Sequence, residues 1–115
     1  MTAVGAFALS DNTTGTSNVA VGGYDGITTS ALRFNTTGSR NSVLGVGALR
    51  NNSTASNNTA VGYQAGLSNT TGTANNYVGY QAGYSNSTST TNNAFGNATL
   101  YFLSLIHISE PTRPY

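Results

Sequence analysis

Residues 58–72 read Asn-Thr-Ala-Val-Gly-Tyr-Gln-Ala-Gly-Leu-Ser-Asn-Thr-Thr-Gly, and this stretch decides the fold. Its central part, residues 61–66, recurs unchanged seventeen residues later as residues 78–83. An apolar residue followed by glycine marks the same point in each of six units, and the apolar residues form what we call the valine column: Val4, Val21, Leu44, Val61, Val78 and Phe95. The spacings are 17, 23, 17, 17 and 17. A fixed period of this size predicts a repeat architecture.

Two asparagine columns share this register. The pre-strand column lies three residues before each apolar-Gly pair and contains Asn18, Asn41, Asn58, Asn75 and Asn92. The turn column lies eight residues after the pair and contains Asn12, Asn35, Asn52, Asn69 and Asn86. Stacked asparagine side chains can form amide ladders, in which each carbonyl accepts from the next NH₂ group. We therefore expect both columns to be structural ladders or corners of a stacked repeat.

The pattern predicts an all-β fold, a parallel β-solenoid (β-roll) of about six 17-residue coils. The short Asn-Thr-Ala-Val segment before each glycine suits a strand, and glycine allows the tight corner that follows it. The valine column is expected to point inward as the core. The residues just before it form the alanine column (Ala3, Ala20, Val43, Ala60, Tyr77 and Ala94) and lie on the opposite face of the strand, where small side chains would let chains pack closely.

Three regions follow from the register. Residues 1–102 form the repeat region, with a six-residue insertion within residues 23–30 that is expected to bulge as a loop. Residues 103–115 break the period, because the turn column calls for asparagine at position 103 and the chain has Leu103. Residues 103–113 closely resemble an in-frame translation of a sequencing adapter. We expect this tail to be non-native, which would make the chain a fragment of a longer fibre read through metagenomic sequencing.

Composition argues against most chemistry. Only 6% of residues are charged, the net charge is +1, and there is no cysteine. The few acids and the one histidine, His107, show no catalytic or metal-binding spacing, so we expect a non-enzyme without cofactor or metal. A polysaccharide-degrading solenoid enzyme is disfavoured by the missing carboxylates. The weak charge likewise argues against nucleic acid, and no apolar run is long enough to cross a membrane.

The Asn-Thr-Ala-Val-Gly-Tyr-Gln-Ala repeats with Asn-Thr-Thr-Gly connectors resemble head and stalk repeats of trimeric autotransporter adhesins. They resemble the repeats of phage-type tail-fibre proteins more closely still. The resemblance implies a left-handed β-roll assembled as a homotrimer, extracellular on a virion tail or a bacterial cell surface. It also implies a structural and adhesive role, in which a rod reaches a host surface receptor or glycan.

Two further points concern recognition. Tyr24 and Asp25 in the insertion, and Tyr63 and Tyr80 in one column, are candidate receptor contacts, since insertions in repeat proteins often map to the binding face. The alternative function is an ice- or crystal-binding solenoid, whose threonine rows would match a lattice. Thermal hysteresis would distinguish this alternative, because a fibre segment should show none.

Overall fold

The structure is a computed structural model that describes residues 1–27 and 30–101. It confirms the predicted all-β, parallel solenoid. Six three-residue strands form one parallel sheet in sequence order: β1 Thr2–Val4, β2 Val19–Val21, β3 Ser42–Leu44, β4 Thr59–Val61, β5 Asn76–Val78 and β6 Asn93–Phe95. Each strand pairs with the next in the register that the repeat predicts, for example Val4 with Val21 and Val78 with Phe95. The predicted handedness and the expected non-native tail, which lies outside the described residues, stay predictions.

The valine column stacks in register, but its predicted inward orientation is wrong. Val4 is 54% exposed, Leu44 51%, Val61 37% and Phe95 62%, while Val21 and Val78 are half-buried. The alanine column fills the core instead: from Ala20 to Ala94 its five members are at most 3% exposed, and only Ala3 in the terminal strand is exposed. The proposed use of the alanine column for chain packing is therefore also wrong.

The bulk of the core comes from the segment that follows each strand, which we call the return segment. Ala8-Leu9, Ala31-Leu32 and Ala48-Leu49 are buried and pack against the alanine column in a single cluster. Since these leucines already fill the space opposite the sheet, the inward strand position must be small. Alternation along a three-residue strand then forces the valine column to the outer face.

The glycine after each strand allows coils to stack at this corner. Gly62 has a φ of 131°, and a Cβ added to it would lie 2.5 Å from the carbonyl oxygen of Gly79 in the next coil. The turn before each of strands β2 to β6 is also left-handed, although it carries no glycine: its residues are Ser17, Arg40, Asn57, Ala74 and Thr91, with φ between 56° and 64°. Interactions elsewhere in the coil must hold these non-glycine residues in place.

The insertion interrupts the period without interrupting the stack. Strands β2 and β3 pair in the same register as every other pair. Beyond the insertion, the amide of Ala31 donates to the carbonyl oxygen of Gly22 at 3.0 Å, so the chain returns to the coil at once. Asn18 and Asn41 accordingly lie on one edge of the rod, where the amide of Asn41 donates to Oδ1 of Asn18 at 2.9 Å.

Tyr77 is a large residue in the otherwise small alanine column, and two glycines next to it make room for its ring. Its fully buried ring occupies the space that leucines fill in other coils. The corresponding positions next to it are Gly66 and Gly83, and a Cβ added to either would lie within 2.4 Å of the Tyr77 ring. One large residue from the strand has thus replaced two from the return segments.

This exchange can be tested by reverting it. We expect Tyr77→Ala alone to lower the free energy of unfolding by about 3–5 kcal/mol, because it leaves a cavity. Adding Gly66→Leu and Gly83→Leu should recover most of that loss, since Leu9, Leu32 and Leu49 adopt the same left-handed conformation as these glycines. Gly66→Leu and Gly83→Leu in the unaltered Tyr77 chain are the control and should be strongly destabilising. Urea unfolding measures all three, and no recovery in the triple variant would contradict this packing.

Candidate functional site

The turn column is a ladder of side-chain amides inside the rod. Nδ2 of Asn35 donates to Oδ1 of Asn12 at 2.7 Å, and the same bond links Asn52 to Asn35 and Asn69 to Asn52 at 2.8 Å. Each Nδ2 also donates to the carbonyl oxygen three residues ahead in its own coil, as Asn52 does to Ala55 at 2.9 Å. One amide therefore shapes the turn and joins it to the next coil.

The pre-strand column makes a second, different ladder. Here the backbone amide of one asparagine donates to Oδ1 of the previous one, at 3.0 Å from Asn58 to Asn41 and at 2.8 Å from Asn75 to Asn58. The Nδ2 group of Asn58 crosses to the turn and donates to the carbonyl oxygen of Gly72 at 2.9 Å, which also accepts from Asn69 at 3.0 Å. The two columns are thus tied to each other through shared carbonyls.

Most of these asparagines are fully buried, and only Asn12 and Asn92, in the first and last coils, are half-buried. A buried amide without partners costs several kcal/mol, so full pairing is what makes a polar interior possible. The structural role predicted for the columns therefore agrees with their geometry.

Tyr77 replaces one link of the turn ladder. Its hydroxyl donates to Oδ1 of Asn69 at 3.4 Å and accepts a hydrogen bond from Nδ2 of Asn86. Burial raises the pKa of Tyr77 to about 12, and the hydrogen bond from Asn86 partly offsets that rise. The neutral hydroxyl is therefore the form that the ladder requires.

The four predicted receptor contacts do not form one site. Tyr24 is 51% exposed and makes an edge-to-face contact with Phe7, with ring centroids 6.3 Å apart. Oδ1 of Asp25 accepts from the amide of Ile27 at 2.9 Å, which shapes the start of the insertion. Tyr63 and Tyr80 lie two coils or more further along the rod and stack on each other, with centroids 5.7 Å apart and an interplanar angle of 13°.

A mixed surface around Tyr24, which we call the aromatic–arginine patch, was not predicted from the sequence. It comprises Phe7, Tyr24, Arg33, Phe34 and Arg50. Cζ of Arg33 lies 4.9 Å from the ring centroid of Phe7 and 5.4 Å from that of Phe34, and Cζ of Arg50 lies 5.6 Å from Phe34. The sequence did contain one signal for this patch: once the insertion is removed, Arg33 and Arg50 occupy the same position in successive units.

In residues 1–27 and 30–101, no group of three or more His, Cys, Asp or Glu side chains could hold a metal ion. The same residues include no helix long and apolar enough to cross a membrane.

Comparisons with protein-family models, with curated proteins and with solved structures found no match to this chain.

The amide ladder makes a direct prediction at Asn52, which bonds to asparagines in both neighbouring coils. Asn52→Ala should lower the free energy of unfolding by about 3 kcal/mol or more, because it leaves several buried partners unpaired. Asn51→Ala is the control: this residue is half-buried and belongs to neither column, so it should cost much less. Equal losses for the two variants, measured by urea unfolding, would show that the ladder does not support the fold.

Tyr77 should make stability fall at high pH. Its folded pKa lies above its ordinary value of 10, so its contribution is complete below pH 10 and is lost as pH rises through about 12. The expected loss over that interval is roughly 2–3 kcal/mol. Tyr77→Phe should start about 1–2 kcal/mol lower because it breaks the ladder link, and its stability should fall less steeply. Parallel slopes for the two proteins between pH 10 and 12 would refute this assignment.

Proposed function

We propose that this chain is a structural and adhesive fibre segment of a phage tail fibre or a bacterial surface adhesin, and that it acts as a homotrimer. The observation that carries the proposal is the outer face of the parallel sheet. The valine column runs along this face as an apolar stripe, and Val19 beside it is 42% exposed. The described strands carry no charged residue.

Physical reasons favour a partner on that face. Parallel sheets occur almost only with both faces covered, whereas this chain covers one face with its own return segments. Exposed contiguous apolar patches on soluble proteins usually mark interaction sites. The stripe repeats once per coil, about every 4.8 Å, and another copy of the chain offers the same repeat. The partner we propose is therefore the chain itself.

In this proposal the rod works outside the cell, on a virion tail or a bacterial surface, and presents its remaining faces to a host receptor or glycan. No catalytic step is assigned to it. Residues fixed by the repeat hold the rod and its proposed trimer together, and residues that depart from the repeat contact the receptor. Tyr24, which lies in the insertion and is 51% exposed, remains a candidate for such a contact.

One observation favours the ice- or crystal-binding alternative. Thr14, Thr37, Thr54, Thr71 and Thr88 form an exposed column with one threonine per coil. The hydroxyl groups of the column beside it already form hydrogen bonds within the rod, however: Thr13 Oγ1 and Thr36 Oγ1 donate to carbonyl oxygens of the following coil at 2.9 and 3.1 Å. A single row outside the strands is a weaker lattice match than a flat double row, so the fibre function is preferred.

Sedimentation tests the assembly. The chain should sediment at about 35 kDa, three times its 11.8 kDa. Leu44→Lys with Val61→Lys places charges in the apolar stripe and should give monomers, because burying an unpaired ammonium group is costly. Thr54→Lys with Thr71→Lys adds the same charges to the exposed threonine column and should leave the trimer intact. A stably folded monomer of the unaltered chain would overturn the proposed assembly.

A further inference from the structure

The aromatic–arginine patch is a continuous surface across the first three coils. Phe7, Arg33, Phe34 and Arg50 alternate ring and guanidinium, and each neighbouring pair lies within 6 Å. Tyr24 extends the row at the Phe7 end. Phe7 is 55% exposed, and both arginines and Phe34 are half-buried, so the patch is ordered by its own stacking and still faces solvent.

The repeat does not require this patch. At the position of Arg33 and Arg50 the other units carry Ser10, Leu67, Tyr84 and Tyr101. At the position of Phe34 they carry Asp11, Asn51, Ser68, Ser85 and, in the sixth unit, a second phenylalanine, Phe102. The rod therefore tolerates many side chains here. The combination of rings and arginines occurs only beside the insertion, where repeat proteins commonly place their binding loops.

The electrostatics of the patch favour an anion. Both guanidinium groups approach the same ring, that of Phe34, and like charges held on neighbouring coils repel one another. In the described part of the chain, the buried Nε atoms of Arg33 and Arg50 have no hydrogen-bond acceptor. The nearby carboxylate of Asp11 accepts from Ser10 Oγ at 2.9 Å. An anion that contacts both guanidinium groups would relieve the repulsion.

The rings limit which anion can bind. A simple inorganic anion would use the arginines and leave Phe7 and Tyr24 exposed, and a neutral sugar would use the rings and leave the charges unopposed. A carboxylated sugar offers both an apolar ring face and a planar carboxylate, which matches the arginine fork. Single-stranded nucleic acid also combines stacking with arginine contacts, but it needs a basic groove along several phosphates. Here only two arginines line the patch, and Asp11 and Asp25 belong to the same coils.

We propose that the aromatic–arginine patch binds an acidic saccharide, with Arg33 and Arg50 contacting its carboxylate and Phe7 and Tyr24 stacking on its ring. This inference rests on the proposed attachment function and names the class of ligand that the rod would recognise. The outer sheet stripe is on the strands, whereas the patch is on the segments that follow them, so trimer formation and sugar binding use different residues.

The test is a titration of the complete chain with trigalacturonate and with sialyllactose, followed by calorimetry and by amide NMR shifts. The trigalacturonate methyl ester and lactose are the matched neutral probes. At least one acid should bind with a Kd of about 1 mM or tighter, and its neutral match should bind at least about tenfold more weakly. Shifts should centre on residues 7, 24, 33, 34 and 50.

Variants assign the binding to the patch. Arg33→Gln with Arg50→Gln should weaken acid binding at least about tenfold, and Phe7→Leu with Tyr24→Leu should weaken it severalfold. Arg40→Gln is the matched control: it removes one positive charge from a side chain that bonds to Asn57 Oδ1 at 3.0 Å, away from the patch, and should leave binding unchanged. Asp11→Asn should strengthen binding. Circular dichroism confirms that each variant is folded.

Several results would overturn the inference: no saturable binding of either acid up to about 10 mM, equal binding of the neutral probes, or equal weakening by Arg40→Gln. Tighter binding of oligo(dT) or polyphosphate than of both acids would show a general anion or nucleic-acid surface instead. Sedimentation of the same samples separates this inference from the proposed assembly. A trimer that binds no acid refutes only the ligand, and a monomer that binds acid through the patch refutes only the assembly.

Discussion

The two asparagine ladders are the interaction on which the rod depends. They place a primary amide at two points of each of the four inner coils, and these amides bond within their coil and, apart from the link that Tyr77 replaces, to the next. Asparagine suits this role because its side chain offers two donors and an acceptor on a short stem. Aspartate would lack the donors, and an apolar residue would leave the turn carbonyls of Gly38, Ala55 and Gly72 without their partners. The ladders also explain how the left-handed turn before each strand is held, since the buried asparagine follows it directly.

A polar ladder along one side leaves little room for an apolar core. The remaining interior holds alanines from the strands and leucines from the return segments. Near Gly66 and Gly83 the ring of Tyr77 fills the volume that leucines fill elsewhere. Because this interior is narrow, the larger strand residues go to the outer face, where they form the apolar stripe. The exposed stripe is therefore a direct consequence of how the coil is closed, and it links the amide ladder to the proposed assembly.

The register, the strand positions and both asparagine columns could be predicted from the sequence, because each depends on spacing alone. Which face of each strand points to the core was predicted wrongly. Val61 and Ala60 are both apolar, so this pair alone does not decide which side of the strand is inside. The larger side chain was assigned to the core, whereas the space was already taken by Leu49 and its equivalents in the return segments. Two signals showed that the alanine column faces inward: the co-occurrence of Tyr77 with Gly66 and Gly83, and polar strand residues such as Thr59 and Asn93 on the same face as the valine column.

The aromatic–arginine patch escaped prediction for the opposite reason: it consists of residues that do not repeat. Aligning units emphasises positions that stacking holds constant, such as Asn52, and averages away those that vary. In a rod of this kind, however, stacking and the proposed assembly with other copies explain the constant positions, whereas recognition of a particular ligand needs positions that differ from coil to coil. Arg33 and Arg50 lie where stacking accepts serine, leucine or tyrosine. A departure from the repeat that is also ordered by its own ring contacts is therefore better evidence of recognition than the tyrosine pair Tyr63 and Tyr80, whose stacking follows from the period itself.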